Sequence, residues 1–159
     1  MGSCFCGKPL RQTHSQGWSS AWTGRNVAFY TVKKNKLWIW KAYCRTTGQL
    51  IDWECGNRDT ATLEKLYNRL KQFDVKMYYA DHWESYAELI NPEQLLQTKA
   101  ETWGVENNNG RQRHWIARFR RKTCVVSRCA KMVDLTVFLF SFFHTVHSIN
   151  DLRKMIHIT

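Results

Sequence analysis

The order of strand-like and helix-like segments is the feature that most constrains the fold of this chain. Residues 36–45 are rich in aromatic and aliphatic side chains with polar ones between them, which is typical of a β-strand. A turn at residues 46–48 and a strand-like run at residues 49–55 complete a predicted hairpin, and residues 27–32 are a further strand candidate. Apolar side chains at helical spacing follow Thr60, which predicts a helix with Thr60 as its N-cap.

The second half of the chain alternates between strands and helices. Short apolar runs predict strands at residues 75–80 and 95–99, with a short helix at residues 83–90 between them. Helices are predicted from Glu106 onward and over residues 131–143. Three antiparallel strands followed by alternating helices and strands suit an α/β fold of the ribonuclease-H-like type, which has a mixed five-stranded sheet with flanking helices. In that arrangement the first and fourth strands are adjacent at the centre of the sheet.

The distribution of charge favours a polyanionic partner. The formal net charge is +11, and the first acidic residue of the chain is Asp52. Residues 1–51 carry eight Lys or Arg, and a second acid-free tract at residues 107–133 carries eight more. Nucleic acid is the commonest partner of such a segregated basic face, and a soluble basic surface is the simpler alternative.

The cysteines and the apolar runs argue against several other classes of protein. The six cysteines have no spacing typical of a zinc site. The start of the chain is polar, so no secretory signal is expected. The most apolar run, residues 135–146, is interrupted by polar side chains and is too short to span a bilayer. These features predict a cytoplasmic protein with reduced thiols and no membrane partner.

Two acids mark a candidate metal site. Asp81 follows the apolar run at residues 75–80, and Glu106, with 24 residues between the two acids, opens the predicted basic helix. Carboxylates are the ligands that Mg²⁺ prefers, and two divalent ions can activate a nucleophile and stabilise the departing oxygen in phosphodiester cleavage. Each acid also has a purely structural interpretation. Asp81 could cap the helix at residues 83–90, and Glu106 could be an ordinary acid at a helix start.

The cationic side chains that follow Glu106 are the candidates for binding DNA phosphates, because several of them recur near helical spacing and no acid lies among them. A solvated helix face is the alternative. The candidates are Arg111, Arg113, Arg118, Arg120, Arg121, Lys122 and Arg128.

Two motifs resemble the catalytic half of transposases of the insertion-sequence 1 family, InsB type. The first is YADHW at residues 79–83, and the second is VENN at residues 105–108, followed by spaced arginines, RKT at residues 121–123 and Ser127. The resemblance covers approximately residues 33–139. It implies a DDE-type enzyme that cuts the ends of a mobile element and joins them to target DNA. Asp81 and Glu106 would then be the second and third catalytic acids, and an intact member of the family would bind two Mg²⁺ or Mn²⁺ ions.

The chain departs from this family where the first acid should stand, in an Asp-Glu-x-Trp motif on the first strand. The equivalent segment, residues 24–30 (GRNVAFY), has no carboxylate. Codons for these residues can be read one base later as Asp-Glu-Met-Trp-His-Phe, which suggests a frameshift upstream of about Lys33. We therefore expect a divergent, poorly ordered segment at residues 1–32 with a degraded first strand. A catalytic domain at residues 33–145 and a C-terminal tail at residues 146–159 would follow.

The expected function is DNA transposition, impaired in this copy because the first catalytic Asp is absent. A non-catalytic DNA-binding regulator of transposition and a ribonuclease-H-like nuclease without transposition are the alternatives. The resemblance implies double-stranded DNA partners, namely the element ends and the target, and a homo-oligomer in a synaptic complex. It also implies an upstream zinc-finger and helix-turn-helix companion protein or fused frame, and a bacterial cytoplasmic protein that is nucleoid-associated when bound to DNA.

Overall fold

The fold is built on one mixed β-sheet with helices on both faces. The computed structural model describes residues 20–30, 32–120 and 125–144. The strands of the described part are β1 (Ser20–Tyr30), β2 (Val32–Cys44), β3 (Leu50–Gly56), β4 (Met77–Ala80) and β5 (Leu95–Gln97). The helices are α1 (Thr60–Leu70), α2 (Glu84–Leu89), α3 (Trp103–Trp115) and α4 (Ala130–His144). Short 3₁₀ turns lie at Lys71–Phe73, Pro92–Gln94, Ala100–Thr102 and Ala117–Phe119.

The five strands lie in the order β3-β2-β1-β4-β5. β1 runs antiparallel to β2, with Ala21 opposite Cys44 and Ala28 opposite Leu37. On its other side β1 runs parallel to β4, with Ala21 opposite Tyr78. β3 extends the antiparallel half and β5 the parallel half. This mixed sheet, with the first and fourth strands adjacent at its centre, confirms the predicted fold class and is consistent with a ribonuclease-H-like fold.

The central strand β1 comes from the segment that we expected to be divergent and poorly ordered. Residues 20–30 of that segment pair with β2 along nearly their whole length, so the sheet begins before the domain boundary predicted at residue 33. The segment has few β-formers between Thr23 and Asn26, so the strand depends on its two hydrogen-bonded neighbours rather than on its own propensity. Residues 1–19 and the predicted tail at residues 146–159 lie outside the described residues.

Side chains alternate between the two faces of β2 and so divide the core in two. On one face, α1 and α2 pack against the sheet in a cluster that includes Trp40, Ala42, Leu63, Leu66, Tyr78 and Tyr86. On the other face, α4 packs against the sheet in a cluster that includes Ile39, Trp53, Phe119, Val133 and Val137. Each fully buried aliphatic side chain in these clusters contributes about 1.5–3 kcal/mol to folding. None of the described helices is both long and apolar enough to cross a membrane.

Helix α1 begins where predicted, but its N-cap is Asp59 rather than Thr60. The Asp59 carboxylate accepts a hydrogen bond of 2.9 Å from the backbone N–H of Thr62. Thr60 is the first helical residue, and its hydroxyl instead donates to Ser85 Oγ of α2 at 2.8 Å. Asp59 therefore satisfies one of the free N–H groups at the helix start.

The predicted basic helix is shorter than expected and begins earlier. α3 starts three residues before Glu106, at Trp103, and ends at Trp115, because Ile116 has extended backbone angles. Ile116 and Phe119 then pack into the cluster under α4, which draws the chain away from the helix axis. Arg118, Arg120 and Arg128 consequently lie beyond α3 and do not continue its cationic face. Arg121 and Lys122 lie outside the described residues.

Candidate active site

A pocket of about 270 Å³ lies where β4 ends and α3 begins. Both predicted catalytic acids line it: Asp81 directly follows β4, and Glu106 stands in the first turn of α3. Gly24 and Arg25 of β1 line the same pocket, because β1 is the neighbour of β4 in the sheet. The structure therefore brings together the two acids that are far apart in the sequence.

The carboxylate of Asp81 is bound to a guanidinium. Arg25 Nη2 lies 2.6 Å from Asp81 Oδ2, and the other carboxylate oxygen, Oδ1, is buried without a hydrogen-bond partner. The N-cap of α2 is Trp83, and no side chain caps that helix, so the helix-capping interpretation of Asp81 is wrong. The carboxylate faces the pocket and Arg25 instead.

Several contacts hold Arg25 in place. Its guanidinium carbon lies 5.3 Å from the centre of the Trp40 ring and 4.9 Å from that of Trp83, within range of cation–π attraction. Its backbone carbonyl accepts a hydrogen bond of 3.0 Å from Asn109 Nδ2 of α3. The side chain is only 11% exposed, and its Nη1 is buried without a hydrogen-bond partner. A second guanidinium, that of Arg58, lines the pocket and lies over the rings of Trp38 and Trp83.

Glu106 is exposed on the pocket side of α3. Its position in the first turn favours a negative charge, because the positive end of the helix dipole lies there. The preceding residue, Val105, is buried against Tyr43 of β2 and fixes the start of the helix on the sheet. Tyr43 also donates a hydrogen bond of 2.6 Å to Asn108 Oδ1.

A buried lysine ties α3 to the sheet below the pocket. Lys41 of β2 is fully buried, and its Nζ donates to Asn109 Oδ1 at 2.9 Å and to Gln112 Oε1. Burial lowers the pKa of Lys41 from the ordinary 10.5 to about 7, with a smaller lowering by the nearby charge of Arg113 and an opposing effect of Cys55. Asn109 thus connects Lys41 below the helix to the backbone of Arg25 beside the pocket.

The pocket does not fit the two-ion metal centre that the resemblance implies. Within the described residues, no three His, Cys, Asp or Glu side chains lie close enough together to hold a metal ion. Gly24 lines the pocket without a side chain, and a Cβ placed there would lie 2.4 Å from Val105 Cγ1. Of the side chains that the structure describes in this pocket, two are carboxylates, and one of them already binds Arg25.

The predicted DNA-binding cations divide into two groups. Arg111, Arg120 and Arg128 are exposed, and Arg120 also donates a hydrogen bond of 3.3 Å to the carbonyl of His114. Arg113 and Arg118 are half-buried: Arg113 donates to Asn26 Oδ1 at 3.4 Å, and Arg118 donates to Ser127 Oγ at 3.3 Å.

Sequence reasoning missed Arg25, Lys41 and Arg58. The only signal for Arg25 was its place in the segment equated with the missing first acid.

Comparisons with known proteins agree with the resemblance. The family model for IS1 transposases matches residues 22–146. The insertion element iso-IS1n protein InsB of Shigella dysenteriae is 30% identical over 113 residues, which cover 71% of this chain and 86% of that protein. The insertion element IS1 protein InsB of Shigella flexneri is 28% identical over 106 residues, which cover 67% of this chain and 81% of that protein. No solved structure matches the chain. The family match covers most of the chain and includes most of β1 and all of β4 and α3, so this protein belongs to the IS1 transposase family.

Proposed function

We propose that this chain acts in IS1-type DNA transposition, and that it binds the DNA of element ends but is impaired in cutting and joining it. The observation that carries this proposal is the convergence of Asp81 and Glu106 on one pocket, between the end of β4 and the start of α3. The family match supports the role in transposition. Two observations support the impairment: no third carboxylate joins Asp81 and Glu106 within the part of the chain that the structure describes, and Asp81 is paired with Arg25.

The chemistry of strand cleavage explains why these differences matter. Two divalent ions would activate the attacking oxygen and stabilise the departing one, and each ion needs oxygen ligands. Asp81 and Glu106 offer two side chains for this purpose, and Arg25 neutralises the charge of the first. We therefore assign the residues of this pocket to the binding and orientation of DNA.

DNA binding is assigned to the exposed cations around α3. Arg111 lies on the outer face of the helix, and Arg120 and Arg128 follow it. Neutralising phosphates with such side chains releases counterions, so binding should weaken steeply with salt. A homo-oligomer that holds two element ends, and a companion protein or fused frame that recognises them, are further parts of this proposal. Their support is the family match alone.

A non-catalytic regulator is the second candidate, and the Arg25–Asp81 ion pair specifically favours it. Such a protein would bind element ends in competition with an active transposase. Both candidates bind DNA, and they differ in whether any strand is ever cut.

The test is a paired binding and cleavage assay on a duplex that carries the terminal sequence of the encoding element. Fluorescence anisotropy gives affinity, and denaturing gels give cleavage and strand joining with Mg²⁺ or Mn²⁺. We expect R111A/R120A to bind less tightly than the wild type. The matched control K65A changes an exposed lysine on α1, across the sheet, and should bind normally. Cleavage by the wild-type chain at the rate of a competent transposase would refute the impairment. Equal affinity of all three proteins for DNA would refute the assigned DNA interface.

A further inference from the structure

We propose that the guanidinium of Arg25 takes the place of a divalent ion beside the carboxylate of Asp81. The wild-type pocket therefore excludes Mg²⁺ and Mn²⁺. The inference deepens the proposed function, because a pocket of this kind would hold DNA without divalent metal. Removal of Arg25 should then free the carboxylate of Asp81 to bind a divalent ion.

The contact distance is the first support. Arg25 Nη2 lies 2.6 Å from Asp81 Oδ2, which is a short charge-assisted hydrogen bond. Mg²⁺ must approach a carboxylate oxygen to about 2.0–2.1 Å and keep a full shell of oxygen ligands. The guanidinium occupies the approach to this oxygen, and its positive charge repels a second cation at the same carboxylate.

The second support is that Arg25 is anchored by contacts to several elements of the fold. Trp40 and Trp83 lie within 5.3 Å of its guanidinium, and Trp40 is itself fully buried and donates a hydrogen bond to the carbonyl of Asn57 at 2.9 Å. The backbone of Arg25 belongs to the central strand and is bound by Asn109. A metal ion would have to displace a side chain that is 89% buried, since only 11% of it is exposed.

The third support is the charge of the pocket. Among the described residues, Arg25 and Arg58 supply two positive charges to the pocket, and Asp81 and Glu106 supply two negative ones, so these four side chains sum to zero. Without Arg25 the sum becomes −1, which attracts a cation. Arg58 lines the same pocket but has no ion pair with Asp81 among the described contacts, so its removal makes the same change in charge without freeing the carboxylate.

The experiment compares Mn²⁺ binding by the wild type, R25Q, R58Q and R25Q/D81N. Free Mn²⁺ is measured by electron paramagnetic resonance, and Tb³⁺ luminescence sensitised by the tryptophans beside the site reports where the ion binds. We expect R25Q to gain Mn²⁺ affinity by at least about tenfold, which corresponds to about 1.4 kcal/mol. R58Q should gain much less, and R25Q/D81N should return to the wild-type affinity.

Three results would overturn the proposal: equal Mn²⁺ affinity of the wild type and R25Q, equal gains in R58Q and R25Q, or a gain that persists in R25Q/D81N. If R25Q does not fold, D81N in the wild-type background decides. Unchanged Mn²⁺ affinity in D81N supports exclusion of the ion, and a loss of affinity contradicts it.

DNA binding is measured separately in a chelator. A chain that binds no DNA under any condition refutes the proposed function, whereas the Mn²⁺ titrations still test the role of Arg25.

Discussion

The buried amine of Lys41 makes a strong prediction about stability and pH. Lys41 is fully buried under α3, and its pKa falls from 10.5 to about 7, chiefly because burial removes the water that stabilises the charged form. Between these two values the unfolded chain binds a proton that the folded chain does not. The free energy of unfolding should therefore rise as the pH rises through this range.

The magnitude follows from the two pKa values. Each pKa unit corresponds to about 1.4 kcal/mol, so the full range from about 7 to 10.5 corresponds to about 5 kcal/mol. In the practical window from pH 7.5 to 9.5, the contribution of Lys41 to the free energy of unfolding should rise by about 2–3 kcal/mol. Below pH 7 both states hold the proton, so Lys41 should add little further dependence.

The assay is urea unfolding of the wild type and K41M across this window, with a reducing agent to keep the cysteines as thiols. Methionine has a similar shape and no titrating group, so the difference between the two slopes isolates Lys41. K41M leaves the amide oxygens of Asn109 and Gln112 without this donor, which lowers stability at every pH without changing the slope. Parallel curves for the two proteins would refute the assignment of a strongly lowered pKa to Lys41.

Three further predictions concern the pocket and the DNA interface. D81A should lower the free energy of unfolding by about 1–2 kcal/mol in urea titrations, because it leaves the guanidinium of Arg25 without its partner. E106A, at an exposed position, should cost less than about 0.5 kcal/mol, and equal losses in the two variants would contradict the ion pair. G24A should cost about 1–3 kcal/mol because its Cβ would meet the side chain of Val105. V105A is itself destabilising, so the clash predicts that G24A/V105A loses less than the sum of the two single losses, and an additive loss would rule the clash out. R111A/R120A should reduce the magnitude of the slope of log affinity for duplex DNA against log salt concentration by up to about 1.8, and K65A should leave the slope unchanged. A wild-type slope in R111A/R120A would show that these two arginines do not contact phosphates.

The sequence predicted the sheet well where local signals and topology agreed. The hairpin of β2 and β3 and the strand that ends before Asp81 had strong apolar patterns, and their order led to a central pairing of the first and fourth strands. That pairing, together with the helix that carries Glu106, is why two acids with 24 residues between them could be expected at one place.

The sequence did not predict features that depend on tertiary partners. β1 has Gly24, Arg25 and Asn26 at its middle, which are poor strand formers, and its place in the sheet is stabilised by pairing on both sides. Lys41 is a polar position of the predicted strand at residues 36–45, and its local sequence does not indicate burial. The sheet face that it occupies is covered by α3, whose Asn109 and Gln112 accept its hydrogen bonds. The end of α3 at Trp115 likewise follows from the burial of Phe119 against α4.

The most direct measurement of the site is a crystal structure of the wild-type chain grown with Mn²⁺ and examined by anomalous scattering. We expect Asp81 and Glu106 on the same pocket, the guanidinium of Arg25 bound to Asp81, and no manganese peak between the two carboxylates. A manganese ion bound by both acids with Arg25 turned away, or the two acids on opposite faces of the sheet, would contradict the site described above.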